Sequence, residues 1–240
     1  MEATHVGQII YTGAISKGII LIKIKLIKPD FVDFKAGQYL AVLLPNTDKV
    51  SYYSIASSPN KKGEVELLVK EDTLGEGAVY LYSLRQGDVI QLHLPMGDAY
   101  LREESNRHIL FVAGASGASY IRSMIHCLDE AGRLVNREVH YFLGCRQEDE
   151  LLESGYMQAL AKKHSGFHYY PALSHQDDWD GHSGLVTEVV ERVMPKDMSG
   201  WDAYSAGSPA MVKAVADTLI TNHRLLPAHF YSDLYTPSAS

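Results

Sequence analysis

The sequence predicts two consecutive folds, an antiparallel β-barrel followed by a doubly wound parallel sheet flanked by helices. The barrel is predicted by short alternating segments, separated by turn residues, in residues 1 to about 100. The parallel sheet is predicted by apolar strand segments that alternate with helical patterns from about residue 105 onward. A charged stretch, Arg102-Glu103-Glu104, marks the boundary, so we expect domains of residues 1–102 and 103–240.

Five strands are predicted in the first half. The clearest is Ile22–Leu26, where apolar residues alternate with lysines in the period-2 pattern of a strand with one buried face. Clusters of proline, glycine and asparagine separate it from the others. One short helix is predicted around Gly77–Leu84. The other four strands are predicted at Tyr39–Leu44, Val50–Ala56, Val65–Lys70 and Val89–Leu94.

The second half predicts five strands and four helices in alternation. The run His108–Ala113 is continuously apolar after its first residue, as in a strand buried on both faces. Further strands are predicted at Val139–Leu143, Phe167–Leu173, Trp201–Ala206 and His229–Tyr231. Helices are predicted around Ile121–Leu128, at Glu150–Lys163 and Leu185–Val193, and from Ser208-Pro209 to Asn222.

Composition limits the classes of function. The chain has 240 residues, and 22 Lys and Arg against 29 Asp and Glu give a net charge of −7, which argues against nucleic acid as a partner. Two cysteines alone hold neither a structural zinc ion nor an iron–sulfur cluster. A polar N-terminus and the lack of 18 consecutive apolar residues predict a cytoplasmic protein without a membrane partner.

Two glycine turns follow strands of the predicted parallel sheet. Gly114-Ala115-Ser116-Gly117 follows the first strand, and Ala206-Gly207-Ser208-Pro209-Ala210-Met211 follows the fourth. Glycine lets the backbone approach a ligand, and a helix N-terminus favours an anion such as a pyrophosphate. The two turns are expected to face each other across a crevice at the carboxyl edge of the sheet. The alternatives are a tight strand–helix turn and a helix start capped by Ser208.

The segment Ser51-Tyr52-Tyr53-Ser54 combines aromatic rings and hydroxyls on one predicted strand. Ser51 and Tyr53 share one face, and Tyr52 and Ser54 share the other. Such a pairing suits a flat heteroaromatic ligand, which packs on a ring and accepts a hydrogen bond from a hydroxyl. The alternative is a strand whose tyrosines belong to the core.

In order along the chain, these segments resemble the motifs of the ferredoxin–NADP reductase superfamily. The resemblance implies a six-stranded Greek-key barrel that binds flavin, followed by a nucleotide-binding domain that holds NADH or NADPH. It covers essentially the whole chain. The motifs are Gly37-Gln38-Tyr39, Tyr53-Ser54-Ile55-Ala56-Ser57, Pro95-Met96-Gly97, Gly114–Gly117, Gly144-Cys145-Arg146 and Ala206–Met211.

Within this superfamily the chain most resembles the single-chain NAD(P)H–flavin reductases, through Phe34–Tyr39, Gly97–Arg102 and Gly117–Ser123. This implies an NAD(P)H:flavin oxidoreductase that binds riboflavin, FMN or FAD as a substrate and releases it reduced, for example to a flavin-dependent monooxygenase. One alternative is an electron-transfer component with tightly bound FAD that serves an oxygenase. Another is a nucleotide-binding module without activity.

The resemblance also implies the residues of the site. Ser54 is the expected catalytic residue, with its hydroxyl near the ring nitrogen that receives hydride. The flavin is expected to contact Ser51, Tyr52, Tyr53, Ser54, Val69, Gly77, Ala78 and Tyr235. The nicotinamide nucleotide is expected to contact Gly114, Ala115, Ser116, Gly117, Arg146, Ala206, Gly207, Ser208 and Met211.

Three departures from the family pattern weaken the expected hold on a flavin phosphate. Ser51 replaces the arginine of the R-x-Y-S motif, Ala78 stands where a hydroxyl is expected, and Glu76 adds a negative charge. No metal site is predicted, because the segment His175–His182 is interpreted as a solvated acidic loop.

Overall fold

The computed structural model describes residues 3–71, 75–176 and 178–234, and it divides into two compact units. The first unit contains residues 1–101 together with 122–130, and the second contains residues 102–121 and 131–240. Each unit is built around one six-stranded sheet. None of the described helices is long and apolar enough to cross a membrane.

The sheet of the first unit is antiparallel, with strand order β4-β3-β6-β1-β2-β5. This confirms the fold class predicted for the first half. Just beyond β4, Ala56 N–H donates to the carbonyl of Glu66 on β5, which links the two ends of the sheet (2.8 Å). The strands are β1 (Ala3–Ser16), β2 (Ile19–Lys28), β3 (Tyr39–Leu43), β4 (Val50–Ser54), β5 (Glu64–Lys70) and β6 (Val89–Met96).

The long strand β1 is absent from the sequence prediction. It pairs with both β2 and β6, and its register with β2 shifts at three places along its length. Such irregularities break the alternation of buried and exposed residues that sequence patterns detect. In β2, by contrast, Ile22, Ile24 and Leu26 are buried as the alternation predicts.

The short helix α1 (Glu76–Ser83) connects β5 to β6 and packs on the core of the first sheet. Ala78 and Leu81 are its buried contacts with that core. Tyr82 donates its hydroxyl to the carbonyl of Val69, so the helix is also tied to β5 (3.2 Å).

Gln38 joins two turns of the first unit. Its Oε1 accepts from Lys35 N–H, and its Nε2 donates to the carbonyl of Gly97, both at 2.9 Å. The turn before β3 is therefore held to the turn after β6. Gly37 and Gly97 have φ values of 98° and 93°, a region that favours glycine.

The sheet of the second unit is parallel, with strand order β10-β9-β8-β7-β11-β12. This confirms the doubly wound fold predicted for the second half. The strands are β7 (His108–Gly114), β8 (Val139–Cys145), β9 (Phe167–Leu173), β10 (His182–Ser183), β11 (Trp201–Ala206) and β12 (Phe230–Tyr231). The helices after β7 are α2 (Ala118–Glu130), α3 (Ser154–Lys163), α4 (Val186–Val193) and α5 (Pro209–Asn222). Residues 122–130 of α2 belong to the first unit.

Two local predictions for this unit are wrong. The helix predicted from Glu150 begins at Ser154, because Glu153 has a left-handed φ of 49° that interrupts the helical path. The preceding residues Glu148–Glu150 form a separate 3₁₀ turn. Strand β10 lies at the end of the segment interpreted as a loop, and it is too short to leave a periodic signal.

Candidate functional site

In the first unit, the predicted residues Ser51, Tyr53 and Gly77 lie together between β4 and α1. A Cβ atom added to Gly77 would overlap the Ser51 side chain and lie 3.0 Å from the Tyr53 hydroxyl oxygen. Glycine at position 77 therefore lets α1 pack closely on β4. Tyr53 is partly buried against the core, and this burial raises the pKa of its phenol, so the ring carries a neutral hydroxyl.

The opposite face of β4 presents Tyr52 and Ser54. Tyr52 is 60% exposed, and its ring meets the edge of Tyr39 on β3 at a centroid distance of 5.8 Å. Tyr39 is also the register partner of Ser54. Within the described parts of the chain, no group forms a hydrogen bond with the Ser54 hydroxyl. This face thus offers exposed aromatic surface beside an available hydroxyl.

The side chains of Val69 and Ala78 do not line an open surface. Val69 is 1% exposed and Ala78 is 4% exposed, and both belong to the core of the first unit. Only the backbone atoms of Val69 and Ala78 are therefore candidates for contact with a flavin, because their side chains pack in the core. Tyr235 lies outside the described residues.

An ion pair lies at the N-terminus of α1. Lys49 Nζ is 2.6 Å from Oε1 of Glu76, which is in the first turn of the helix, and both side chains are exposed. A helix N-terminus favours an anion, and here the chain's own carboxylate supplies one. Glu76 would repel a phosphate at this place, and Lys49 is already engaged with it.

In the second unit, the two predicted glycine turns contact each other. They follow β7 and β11, which are neighbours in the sheet, with Ala113 and Ala206 in register. A Cβ atom on Gly114 would lie 3.2 Å from Met211 Sδ and 3.7 Å from Gly207 Cα. The two turns lie at the same carboxyl edge, as predicted, but they pack against each other where a crevice between them was expected.

The structure gives Gly117 a packing role, and its expected contact with the nicotinamide nucleotide stays a prediction. A Cβ atom at this position would overlap the carbonyl of Ala206. Glycine is therefore required for the close packing of the two turns, and ligand approach is not needed to explain it. The loop continues from a 3₁₀ turn, Ala115–Gly117, directly into α2. Ser116 in this turn is exposed.

Ser208 and Arg146 occupy distinct positions at the same edge. The Ser208 hydroxyl accepts from Met211 N–H at 3.2 Å, so it caps α5 as the alternative interpretation stated. Arg146 follows β8 and is exposed, and its N–H donates to the Glu150 carboxylate at 2.8 Å. A cleft of about 410 Å³ lies beside it, lined by Gln147, Glu148, Asp149 and Gln176.

The C-terminal segment stays close to the second sheet. The ring of Tyr231 stacks on Tyr204 at 4.9 Å, and the Arg102 guanidinium lies 4.8 Å from the centre of the Tyr231 ring. Backbone N–H of Arg102 donates to the Tyr204 hydroxyl at 2.9 Å. These contacts fix the chain up to the turn at Asp233 and Leu234.

The second unit has the chemistry of a nucleotide site. Two neighbouring parallel strands, β7 and β11, are followed by glycine-containing turns, and both turns lead into helices. Gly114 and Gly207 are partly exposed, and a Cβ atom on either one would meet the side chain of Met211. Ligands of open α/β sheets bind at this edge, and helix N-termini favour their phosphates.

Family models match both units. The model described as an oxidoreductase FAD-binding domain matches residues 7–100. The model described as an oxidoreductase NAD-binding domain matches residues 111–217.

Curated relatives match along most of the chain. The NAD(P)H-flavin reductase of Aliivibrio fischeri is 31% identical over 211 residues, which cover 85% of this chain and 87% of that protein. The phenol hydroxylase P5 protein of Acinetobacter pittii is 32% identical over 91% of this chain and 62% of its own length. The reductase component of phenol 2-monooxygenase from Pseudomonas is 33% identical over 89% of this chain and 60% of its own length. The chain thus spans about three fifths of the length of the phenol hydroxylase P5 protein and of the phenol 2-monooxygenase reductase component.

Solved structures show the same fold. A ferredoxin NADP⁺ reductase from Neisseria gonorrhoeae aligns with a TM-score of 0.77 at 19% identity, over 91% of each chain. The ferredoxin reductase of a carbazole 1,9a-dioxygenase aligns with a TM-score of 0.82 at 20% identity, over 96% of this chain and 68% of that one.

Proposed function

Because the chain belongs to the ferredoxin–NADP reductase superfamily of NAD(P)H-dependent oxidoreductases, we propose that it transfers hydride from NAD(P)H to a loosely held flavin and releases the flavin reduced. Riboflavin, FMN and FAD are the candidate acceptors. The reduced flavin then serves a flavin-dependent monooxygenase or another consumer.

The Lys49–Glu76 pair is the observation that carries the proposal. It puts a carboxylate at the helix N-terminus of the first unit, beside Ser51, where the family motif has an arginine. A flavin phosphate at this place meets a like charge and no guanidinium. Binding then depends on the ring and ribityl chain, which favours exchange of the flavin over permanent retention.

The residues of the first unit are proposed to bind and orient the flavin. On one face of β4, Tyr52 and Tyr39 provide aromatic surface for the ring, and Ser54 donates its available hydroxyl to a ring nitrogen. Tyr53 is a proposed flavin contact on the opposite face, beside α1. In the second unit, the partly exposed turns at Gly114 and Gly207 are proposed to contact the nicotinamide nucleotide at the carboxyl edge of the sheet. The nicotinamide and flavin supply the redox chemistry, and the protein positions them, so no side-chain acid or nucleophile is required.

Steady-state oxidation of NADH and NADPH tests the proposal, with riboflavin, FMN and FAD as separate acceptors. The expected result is turnover that saturates with added flavin, and purified protein that is largely colourless. Oxidation that needs no added flavin, by a yellow protein, would contradict it.

A second candidate is an electron-transfer component with tightly bound FAD that serves an oxygenase. Two relatives favour it, the phenol hydroxylase P5 protein and the reductase component of phenol 2-monooxygenase. For this candidate we expect flavin to remain bound through gel filtration. We also expect NADH oxidation to require a protein acceptor in place of free flavin.

A further inference from the structure

Three ligand-bearing side chains converge at the N-terminal ends of β8 and β9, at the opposite end of these strands from the glycine turns. Glu138 immediately precedes β8, and His140 lies two residues later, so both point to one face. His168 on β9 is the register partner of His140 on the adjacent parallel strand. The sheet register thus brings together residues that are 28 and 30 positions apart in sequence.

The ligand atoms are close enough to share one ion. Glu138 Oε2 lies 2.8 Å from His168 Nε2 and 3.5 Å from His140 Nε2. All three ligand atoms lie within 4.8 Å of one another. Tetrahedral zinc with bonds of 2.0–2.1 Å places its ligand atoms about 3.4 Å apart, so small side-chain rotations complete the geometry.

We propose that Glu138, His140 and His168 form a zinc site. Two imidazole nitrogens with one carboxylate oxygen suit a borderline-soft divalent cation, whereas magnesium and calcium prefer all-oxygen sets. Three protein ligands leave the fourth position of the ion for water. This proposal is independent of the proposed function, since these residues take no part in holding flavin or NAD(P)H.

Packing around the cluster holds the ligands in place. The ring of His140 lies between that of His168, at 4.5 Å, and that of Trp201, at 5.2 Å. Glu138 N–H donates to His108 Nδ1 at 3.0 Å, which fixes the backbone beside the carboxylate. A site arranged in this way before the ion arrives loses little side-chain freedom on binding.

The cluster is open to solvent as well as ordered. The side chains of His168 and Glu138 are 37% and 46% exposed, and that of His140 is 13% exposed. An ion can therefore enter without unfolding the sheet. Once bound, it links β8 to β9 and stabilises the folded second unit by mass action.

Titration of the full-length, tag-free and chelator-treated protein with zinc chloride tests the site, by calorimetry and by thermal unfolding. We expect one zinc ion per chain and a rise in Tm, with no such rise for magnesium chloride. His168→Asn and Glu138→Gln change partly exposed side chains, and each is expected to weaken zinc binding at least about tenfold. His175→Asn, which changes an exposed histidine outside the cluster, is the matched control and should bind as the unmodified chain does.

Three results would overturn the proposal. The first is the lack of saturable binding below about 1 mM zinc. The second is equal zinc affinity in the unmodified chain and in His168→Asn and Glu138→Gln variants that circular dichroism shows to be folded. A loss of affinity in His175→Asn equal to that in His168→Asn would likewise show binding by scattered histidines and not by the cluster.

Discussion

Arg122 Nη1 donates a hydrogen bond to Oε2 of Glu66 at 2.8 Å, and both residues are buried in the first unit. The same nitrogen donates to the carbonyl of Ala56 at 2.7 Å. Oε1 of Glu66 lies 3.2 Å from Lys23 Nζ and 3.3 Å from Lys61 Nζ. Burial by itself raises the pKa of Glu66, but the charge of Arg122 and its hydrogen bond, with Lys61 and Lys23, outweigh it and hold the pKa below its ordinary value.

The first prediction concerns acid stability. Because the pKa of Glu66 is lowered in the folded state, its stabilising effect is present above its ordinary value of 4.5 and is lost as the pH falls through its lower folded value. Glu66→Gln takes a negative charge away from the buried guanidinium of Arg122, so we expect a loss of about 3–5 kcal/mol at neutral pH. Urea unfolding between pH 3 and 7 measures both effects. The neighbouring variant Glu64→Gln should keep the unmodified pH dependence, and an unchanged profile in Glu66→Gln would refute the assignment.

The second prediction concerns Ser54. If its hydroxyl orients the flavin ring, Ser54→Ala should lower kcat roughly tenfold, the value of one well-placed hydrogen bond, with a smaller change in KM. Stopped-flow or steady-state assays with riboflavin measure this split. Ser83→Ala, at the far end of α1, is the control. An effect on KM alone would assign Ser54 to binding and not to positioning.

The third prediction concerns flavin choice. Glu76→Gln removes the negative charge at the start of α1 and releases Lys49 to meet a phosphate. We expect KM for FMN to fall about two- to fivefold, the range for an exposed charge pair, while KM for riboflavin stays constant. Asp33→Asn removes one negative charge elsewhere on the first unit and should change neither value. Equal shifts for FMN and riboflavin would show that this helix end does not face the phosphate.

The fourth prediction separates packing from ligand approach at Gly117. Since a Cβ atom there overlaps the Ala206 carbonyl, Gly117→Ala should lower the free energy of unfolding by roughly 1–3 kcal/mol. Gly155 in α3 has no heavy atom within 4 Å of an added Cβ atom, so Gly155→Ala should be neutral or stabilising by up to about 1 kcal/mol. Denaturant unfolding compares the two. Unaltered stability in Gly117→Ala would contradict the packing role and favour contact with a ligand as the reason for this glycine.

The fifth prediction concerns the choice between NADH and NADPH. The cleft after β8 carries Glu148 and Asp149, whose charges oppose the extra phosphate of NADPH. We expect a higher kcat/KM for NADH. We also expect Asp149→Asn to raise kcat/KM for NADPH about two- to fivefold. Glu104→Gln, on the same unit, provides the comparison. A preference for NADPH in the unmodified chain would place its phosphate near Arg146 instead.

Periodicity predicted the elements whose burial is regular. β2 alternates between buried and exposed residues, and β7 is apolar through its length, so each leaves a clear pattern. β1 was missed because its register shifts break the alternation. The start of α3 was misplaced because a left-handed residue, Glu153, cannot be read from an apolar pattern.

The family motifs predicted part of the candidate flavin site. The resemblance grouped Ser51, Tyr53 and Gly77, and the structure shows the steric reason for the group. It placed Tyr39 in the Gly37-Gln38-Tyr39 motif but not among the flavin contacts, and Tyr39 joins the surface through pairing across strands. The cluster of Glu138, His140 and His168 also depends on register. Its one local signal is the Glu-x-His spacing on a predicted strand, which marks two of its members.

Two separate motifs, Gly37-Gln38-Tyr39 and Pro95-Met96-Gly97, both depend on the side-chain amide of Gln38. Its oxygen must face an N–H and its nitrogen must face a carbonyl, so the side chain works in only one orientation. Glutamate has the same shape but would direct an anion at the Gly97 carbonyl. The Gln38 side chain thus holds the turn before β3 to the turn after β6, although Gln38 and Gly97 are 59 residues apart in the chain. A substitution in one of these turns therefore affects the other turn. We expect the two motifs to be retained together or lost together among related sequences.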